Sequence, residues 1–284
     1  TLSSSSAASD VYKRQICHSR IDLPGDDSHF NQFLELLNGH EIVVLDNYYF
    51  TTEYQRTIKA KGCKLVCIDD MHDKHYVADV VINHAPGVDS SLYSKEPFTK
   101  LLLGFKYALL RKEFYKEFKA NTDKKFSCLI IMGGADPFGV TNHLLELLTN
   151  INLPKPIAVV SPNRKNYENA VWFKNLTAIE ISQLMEDVDF GILPASSVAI
   201  EACAKRLPFI CGYFVDNQIE IYKGIKKEKL AVCVGNLIGV EENQLAKSVE
   251  ISCSKPRYES IIKNQQKLID NQSDKRLLKI FQEL

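Results

Sequence analysis

The sequence lacks an excess of charge of either sign. Lys+Arg and Asp+Glu each number 35 among the 284 residues, and no long basic block occurs. Binding to duplex nucleic acid depends on positive charge, so nucleic acid is not an expected partner. No apolar run approaches the ~20 residues that a membrane-spanning helix needs, so no membrane partner is expected either.

The eight cysteines do not include a CxxC pair, which removes the anchor of a zinc ribbon or a thiol redox motif. Cys67, Cys128 and Cys211 lie in apolar runs, where a thiol behaves as a small hydrophobic group. Reduced thiols are typical of the cytoplasm, and we therefore predict a cytoplasmic protein without a metal or cofactor.

The first fifteen residues, "TLSSSSAASDVYKRQ", are rich in Ser and Ala and have no hydrophobic period. One interpretation is a disordered leader. The interpretation that we favour is non-native sequence, because the segment resembles translated adapter sequence. In that case native sequence begins near Ile16, and the first domain is incomplete.

Short apolar runs then alternate with helical spacing. Residues 41–46, "EIVVLD", are predicted to form a buried parallel strand, and the helix that follows is expected to end at Gly62. Further strands are predicted at "KLVCIDD", "ADVVIN" and "FTKLLLG", and an amphipathic helix at residues 108–118, "ALLRKEFYKEF". The polar residues 121–125 indicate a domain boundary.

The same alternation restarts after that boundary. Strands are predicted at "FSCLIIMG", "PIAVV", "VDFGILPAS", "LPFICGY" and "LAVCVG", with helices between them and two helical segments at the end. The pattern indicates an α/β protein with two doubly wound, Rossmann-like domains, residues 16–122 and 123–284. The last helix is expected to be able to pack back on the first domain. Ligands of such sheets bind beyond the carboxyl ends of the strands.

The turn "MGGADPFG" follows the first strand of the second domain. Gly133 and Gly134 let the backbone approach a ligand, and the N-terminus of the next helix suits a phosphate. The alternative is structural, with Asp136 capping that helix.

The turn in "LPASSVAIEAC" raises a similar choice. Ser196 and Ser197 either cap the helix that follows or form a second phosphate cradle. Glu201 lies four residues beyond Ser197, on the same helix face. It is either a solvated helix glutamate or an acceptor for two vicinal ribose hydroxyls.

Other strand exits carry polar residues whose roles stay open. Asp216, Asn217 and Gln218 are candidate helix caps or sugar ligands, and Asp46, Asn47 and Tyr48 follow the first predicted strand. Residues 69–75 hold three aspartates and two histidines, but no second cluster with ligand spacing accompanies them, so no metal site is predicted.

These motifs together resemble the GT-B class of UDP-sugar enzymes. In particular, the chain is similar to the UDP-sugar hydrolases of pseudaminic acid biosynthesis, bacterial enzymes that are related to the N-acetylglucosaminyltransferase of peptidoglycan synthesis. The similar segments run from about Leu45 to Gln218: "LDNYY", "KLVCIDD", "GFKYALLRKEF", "IIMGGADP", "PASSVAIEAC" and "DNQ".

The resemblance implies a fold with two domains facing a cleft. It also implies hydrolysis of a UDP-linked diacetamido-trideoxy-hexose at its anomeric carbon, by water that a histidine activates. The implied UDP-binding residues are Gly133, Gly134, Asp136, Ser196, Ser197 and Glu201. The implied sugar-binding residues are Asp46, Tyr48, Asn217 and Gln218.

Two departures from the family pattern bear on activity. Ala135 replaces the small hydroxyl residue that the family usually carries before the aspartate of the glycine turn. The family's Gly-x-Gly-His loop, which holds the proposed base, is not found, and neither His18 nor His29 has the flanking glycines. No catalytic residue is therefore assigned, and we expect UDP binding to survive while turnover is lost.

Two rival functions remain at this point, a GT-B glycosyltransferase and a non-enzymatic module that binds UDP-sugars. An acceptor-dependent reaction would favour the first, and binding without turnover would favour the second. The sequence does not indicate an oligomeric state.

Overall fold

A computed structural model describes residues 21, 28–116, 123–133, 136–165 and 167–284 of the chain. It divides the chain into two compact units. The first unit comprises the described residues up to Ala108 together with Ser273–Leu284, and the second unit comprises those of Leu109–Gln272. The predicted leader lies outside the described residues. The predicted boundary at residues 122 and 123 falls beside residues that are not described, and it stays a prediction.

The first unit contains a sheet whose described strands run in the order β1-β2-β4-β6, all parallel. A separate parallel pair joins β3 to β5. The elements are α1 (Ser28–Glu35), β1 (Ile42–Leu45), α2 (Thr52–Ala60), β2 (Lys64–Ile68), β3 (His75–Tyr76), β4 (Val80–Asn83), β5 (Ser94–Lys95), β6 (Lys100–Leu103) and, near residue 280, α9 (Ser273–Gln282).

Helix α2 begins and ends where the sequence predicts. The Thr51 hydroxyl accepts a hydrogen bond from the Tyr54 amide at 3.2 Å, which caps the first turn. Gly62, two residues after the last helical residue, has φ +93° and reverses the chain into β2. Ile58 on the buried face of α2 packs in one core cluster with Leu65 and Cys67 of β2.

The prediction that β1 is buried on both faces was wrong. Val43 and Leu45 are buried, whereas Ile42 is 40% and Val44 46% exposed. β1 lies at the edge of the described sheet, and successive side chains of a strand point to opposite faces. The described residues cover only one of those faces.

The second unit contains a parallel sheet with the described strand order β12-β11-β10-β7-β8-β9. Its elements are β7 (Phe126–Ile131), α3 (Val140–Leu148), β8 (Ile157–Val160), β9 (Ala170–Phe173), α4 (Ala178–Glu186), β10 (Val188–Pro194), α5 (Ser197–Ala204), β11 (Phe209–Tyr213), α6 (Ile219–Lys227), β12 (Val232–Asn236), α7 (Glu242–Cys253) and α8 (Lys255–Leu268). The predicted strands and helices of this unit are confirmed, and β9 is an additional strand that the sequence analysis missed.

The core of the second unit forms where apolar side chains of the strands pack against leucines of the helices. Ile130 and Ile192 of the central strands pack in one cluster with Leu144 and Leu148 of α3, and with Leu245 of α7. Burying one such side chain contributes roughly 1.5–3 kcal/mol to the stability of the fold. The cluster thereby holds the central strands in place, and the polar turns follow the ends of these strands.

The predicted amphipathic helix at residues 108–118 was wrong as far as the segment is described. Ala108 has ψ 128° and Arg111 has ψ 147°, so neither is helical, and only Lys112–Tyr115 form a short 3₁₀ turn. Phe114 is fully buried and Glu113 nearly so. Contacts with distant parts of the second unit therefore override the local helical pattern.

No helix in the described ranges combines the length and the hydropathy that crossing a bilayer requires. The described cysteines are free thiols, and Cys67, Cys128 and Cys211 are buried within strands, as the apolar runs predict.

Candidate functional site

The second unit has a topological switch point between its two central strands. From β7 the chain proceeds outward to β8 and β9, and it then returns to the opposite side of β7 as β10. β7 and β10 are parallel and directly paired, with Ile130 opposite Ile192. Their carboxyl ends therefore lie side by side and open into diverging connections. Ligands of doubly wound sheets bind in the crevice at such a point.

The glycine turn after β7 lies on one side of this crevice. Gly133 is exposed and has φ +92°, and no described residue lies within 4 Å of the position that a Cβ atom would take. Gly134 and Ala135 lie outside the described residues. Asp136 accepts hydrogen bonds from the amides of Val140 and Thr141, at 2.8 and 2.9 Å. Asp136 therefore caps α3, which is the structural alternative that the sequence left open.

The turn after β10 leaves its helix uncapped. Ser196 occupies the N-cap position of α5, but its side chain makes no capping hydrogen bond. Ser197 is exposed. Within the described ranges, no acceptor is found for the amides of Ser197 and Val198. Unpaired amides and the positive end of the helix dipole together favour an anion at this position.

Glu201 is a buried member of an ion pair, not a solvated helix side chain. It is only 4% exposed. Its two carboxylate oxygens accept hydrogen bonds from Nε and Nη2 of Arg111, at 2.6 and 2.7 Å. Burial raises the pKa of Glu201, while the hydrogen bonds and charge of Arg111 oppose that rise.

Arg111 is the residue that the sequence analysis missed. It precedes Glu201 by 90 positions, and its guanidinium also lies over the Phe114 ring, 5.0 Å from the centroid. A helical interpretation of residues 108–118 places Arg111 on a solvated face, whereas its backbone is in fact extended. The one available signal was that "GFKYALLRKEF" is among the segments that carry the family resemblance.

The turn after β11 holds the two predicted sugar ligands of this unit. Asp216, Asn217 and Gln218 form a 3₁₀ turn before α6. Gln218 is 8% exposed, and its side-chain oxygen accepts a hydrogen bond from the Phe214 amide at 3.0 Å. This bond fixes the turn. The sugar-binding roles of Asn217 and Gln218 stay predictions.

In the first unit, Asp46 and Tyr48 follow β1 and lie near the aspartates that follow β2. Tyr48 is 51% exposed, and its hydroxyl donates a hydrogen bond to Asp70 at 2.9 Å. Loss of water around the carboxyl raises the pKa of Asp46. Burial also raises the pKa of Asp70, and the charges of Asp69 and Asp46 add to this effect. The side chains of Asp46, Asp69 and Asp70 are therefore close enough for their charges to interact, beyond the C-terminal ends of β1 and β2.

Asp69 and His75, two further polar residues of the loop at 69–75, form hydrogen bonds within the protein. Asp69 accepts hydrogen bonds from the His72 amide and from the Tyr93 hydroxyl, at 2.8 and 2.9 Å. His75 contacts Ser94 and Glu96 through its two ring nitrogens, at 2.8 and 3.0 Å. Of the two histidines considered for the missing base, His18 lies outside the described residues. His29 contacts the ring of Phe30, with centroids 3.9 Å apart.

The fold of the chain is similar to that of several solved structures. MurG of Acinetobacter baumannii has a TM-score of 0.63 at 13% identity, covering 98% of this chain and 88% of that one. A putative UDP-N-acetylglucosamine 2-epimerase from Listeria monocytogenes has a TM-score of 0.58 at 12% identity, covering 97% and 86%. The spinosyn rhamnosyltransferase SpnG, solved with thymidine diphosphate, has a TM-score of 0.59 at 11% identity, covering 97% and 80%.

Sequence comparison gives two relatives, and the chain covers different shares of their lengths. The UDP-2,4-diacetamido-2,4,6-trideoxy-β-L-altropyranose hydrolase of Campylobacter jejuni is 30% identical over 190 residues, which are 63% of this chain and 68% of that protein. An uncharacterized protein of Methanocaldococcus jannaschii is 26% identical over 212 residues, and the chain spans only 43% of its length. No family model matches the chain.

The parallel sheets and these structural similarities define the class: the chain has the GT-B fold of α/β glycosyltransferase-like proteins, as the sequence predicts. Within that class, it belongs to the family of the UDP-2,4-diacetamido-2,4,6-trideoxy-β-L-altropyranose hydrolases.

Proposed function

We propose that the protein hydrolyses a UDP-linked diacetamido-trideoxy-hexose at the anomeric carbon and releases UDP and the free sugar, in pseudaminic acid biosynthesis. One observation carries the proposal, the 30% identity to the Campylobacter jejuni hydrolase over 190 residues. The geometry at the β7–β10 switch point supports its nucleotide half. An open helix N-terminus suits a diphosphate, and a carboxylate lies one turn further along the same helix.

In the proposed reaction, a water oxygen forms a bond to C1 of the sugar while the bond from C1 to the phosphate oxygen breaks. The water gives its proton to a general base, which the family resemblance implies is a histidine and which we assign to no residue of this chain. The electron pair of the broken bond stays on the departing diphosphate. The amides of Ser197 and Val198 and the dipole of α5 stabilise the charge that grows there. Preorganised donors of this kind contribute about 10²–10³-fold to the rate in other enzymes.

The predicted site residues take roles within this proposal. We assign the diphosphate to Ser196 and Ser197, with Gly133 and Gly134 allowing close approach of the backbone, and Asp136 supporting the glycine turn. Glu201 accepts the ribose hydroxyls. The sugar side is assigned to Asp46, Tyr48, Asn217 and Gln218.

The test begins with a calorimetric titration of UDP into the purified chain and into Glu201→Gln. We expect the substitution to weaken binding about tenfold or more, which is about 1.4 kcal/mol. Glu250→Gln is the matched control, because Glu250 is an exposed glutamate on α7. Circular dichroism of each variant checks that it is folded. Absence of UDP binding by the folded wild-type chain would contradict the proposal.

A second measurement separates the hydrolase from its rivals. UDP release from the altropyranose nucleotide is followed with and without added sugar or lipid acceptors. A hydrolase releases UDP at the same rate in both conditions, whereas a glycosyltransferase releases UDP faster when its acceptor is present. Because the sequence has no Gly-x-Gly-His loop, UDP binding without release is also the result that we expect of this chain. A binding module is favoured only if release is still absent after that loop of the Campylobacter jejuni hydrolase has been added.

A further inference from the structure

Glu201 belongs to a cluster of three charged residues, of which the two carboxylates are buried. Besides Arg111, it contains Glu113, which is 4% exposed and close enough for its charge to act on Glu201. In the described part of the chain, Oε2 of Glu113 is buried without a hydrogen-bond partner. Two carboxylates thus accompany one guanidinium. A buried, unpartnered acceptor is unfavourable unless another molecule supplies the donor.

Counting acceptors defines the ligand chemistry that the cluster would take. An ionised carboxylate has about four acceptor positions. Arg111 fills one on each oxygen of Glu201, which leaves one on each oxygen free of that pair. Together with Oε2 of Glu113, these positions are hydrogen-bond acceptors that a ligand with O–H or N–H donors could fill. A phosphate group has only acceptors and does not fit, whereas a vicinal diol brings two O–H donors.

The position of the cluster along α5 matches this chemistry. Glu201 lies four residues after Ser197, which is about 6 Å along a helix axis. The anion-binding amides are thus at the start of α5, and the donor-binding cluster is one turn further on. A nucleoside diphosphate has the same order of groups, a diphosphate followed by the 2′,3′-diol of its ribose.

We propose that Arg111 is a positioning residue that holds the Glu201 carboxylate in place for the ribose diol, and so makes the site selective for ribonucleotides over 2′-deoxyribonucleotides. The proposal rests on the proposed binding of UDP. Arg111 fixes both Glu201 oxygens in one plane, because its two N–H groups form parallel bonds. A lysine supplies the same charge at a single point and cannot fix that plane.

The experiment compares dissociation constants for UDP and 2′-deoxy-UDP in the wild-type chain, Arg111→Lys and Arg111→Gln. Lys112→Gln is the matched control, because Lys112 is the adjacent residue and is exposed. A site built to bond a hydroxyl rejects the analogue that lacks it. We expect the wild type and Lys112→Gln to prefer UDP by about tenfold or more, and both Arg111 variants to prefer it by less than about threefold.

The two failures are distinguishable. A folded wild-type chain that binds neither nucleotide contradicts the proposed function itself. A wild type that prefers UDP, beside an Arg111→Lys variant with the same preference, overturns the role of Arg111 alone. A variant that merely loosens the fold weakens the binding of both nucleotides equally and leaves the ratio of their dissociation constants unchanged. That result also counts against a positioning role for Arg111. If Arg111→Gln does not fold, Arg111→Lys decides the matter.

Discussion

Asp136 and Glu201 are both acidic residues near the start of a helix, and their surroundings give them different tasks. Asp136 lies before α3 and accepts two amide hydrogen bonds of that helix. Glu201 lies one turn inside α5 and is paired with Arg111, while the amides at the start of α5 stay open. A carboxylate thus caps α3, whereas in the described residues no side chain caps the first amides of α5.

Replacement of Asp136 tests its capping role. We expect Asp136→Ala to lower the free energy of unfolding by about 1–2 kcal/mol, because two amides of α3 lose their acceptor. Asp136→Asn retains an acceptor and tolerates the observed φ of +33°, so its loss should be smaller. Urea denaturation measures both. If Asp136→Asn keeps its stability but loses tenfold in UDP affinity, Asp136 contacts the ligand directly.

Glu41 provides a prediction about pH. Its carboxylate accepts hydrogen bonds from the amides of Asn38, Gly39 and His40 at 2.9–3.1 Å. The hydrogen bond from the Asn38 amide foremost, and next that of the Glu41 amide itself, lower the pKa of Glu41 from 4.5 to about 2. A lowered folded-state pKa stabilises the fold above pH 4.5, and that contribution is lost as the pH falls toward 2.

We therefore expect Glu41→Gln to be less stable than the wild type at pH 7. Chemical denaturation at a series of pH values between 7 and 3 should give a difference that shrinks steadily below pH 4.5. A difference that stays constant across this range would show that the bonds to Glu41 do not depend on its charge.

At this scale, the sequence predicts which residues are placed at the strand exits, but not their partners. Ser197 and Glu201 could be identified because four residues make about one helical turn. The pairing of Glu201 with Arg111 could not, because it joins positions 90 residues apart and no local spacing encodes it. The burial of Glu201 rules out the interpretation as a solvated helix side chain, and it could not be predicted for the same reason. The ribose-binding role stays a prediction.

Among the elements, α5 carries the proposed diphosphate contact, because no acceptor for its first amides is found in the described residues. Proline is tolerated at the first position of a helix, where it removes an amide that the helix does not use. Ser196 has φ −143° and ψ −170°, an extended conformation that suits the residue before a proline. Position 197 therefore allows removal of one donor without breaking the helix.

We expect Ser197→Pro to weaken UDP binding about tenfold or more. Ser197→Ala keeps the amide and removes only the hydroxyl, so its affinity should stay within about threefold of the wild type. Calorimetric titration of both variants, with circular dichroism to confirm that they fold, makes the comparison. Equal weakening in the two variants would assign the contact to the hydroxyl instead of the helix N-terminus.

The sequence predicts the strand–helix alternation well, because apolar runs of strand length and helical spacing are local signals. It fails at residues 108–116, where the helical pattern is outweighed by burial of Phe114 and by the ion pair of Arg111. It also misses β9, Ala170–Phe173, because an apolar run of only four residues is too short for its pattern to distinguish a strand from other structure.

At the scale of the whole molecule, the two units have separate cores and should respond separately to UDP. We expect hydrogen exchange with mass spectrometry to show greater protection on UDP binding at β10 and α5, where the proposed diphosphate and ribose contacts lie. Peptides of residues 28–108 should be unchanged, because UDP carries no sugar for Asp46 and Tyr48. Protection at those two residues with UDP alone would assign them to the nucleotide.

The first unit combines an early and a late segment of the chain, which has a consequence for the order in which it is completed during translation. Helix α9 belongs to this unit although it lies far along the chain, and the Ser273 hydroxyl donates a hydrogen bond to the Ala108 carbonyl, 165 residues earlier, at 2.7 Å. Ribosomes add roughly 5–20 residues per second, so residue 108 is made about 10–30 s before residue 273. By the end of that interval all described strands of the second unit have been made, while the first unit still lacks α9. The described residues 28–108 are thus made before the second unit, but their own unit is completed after it.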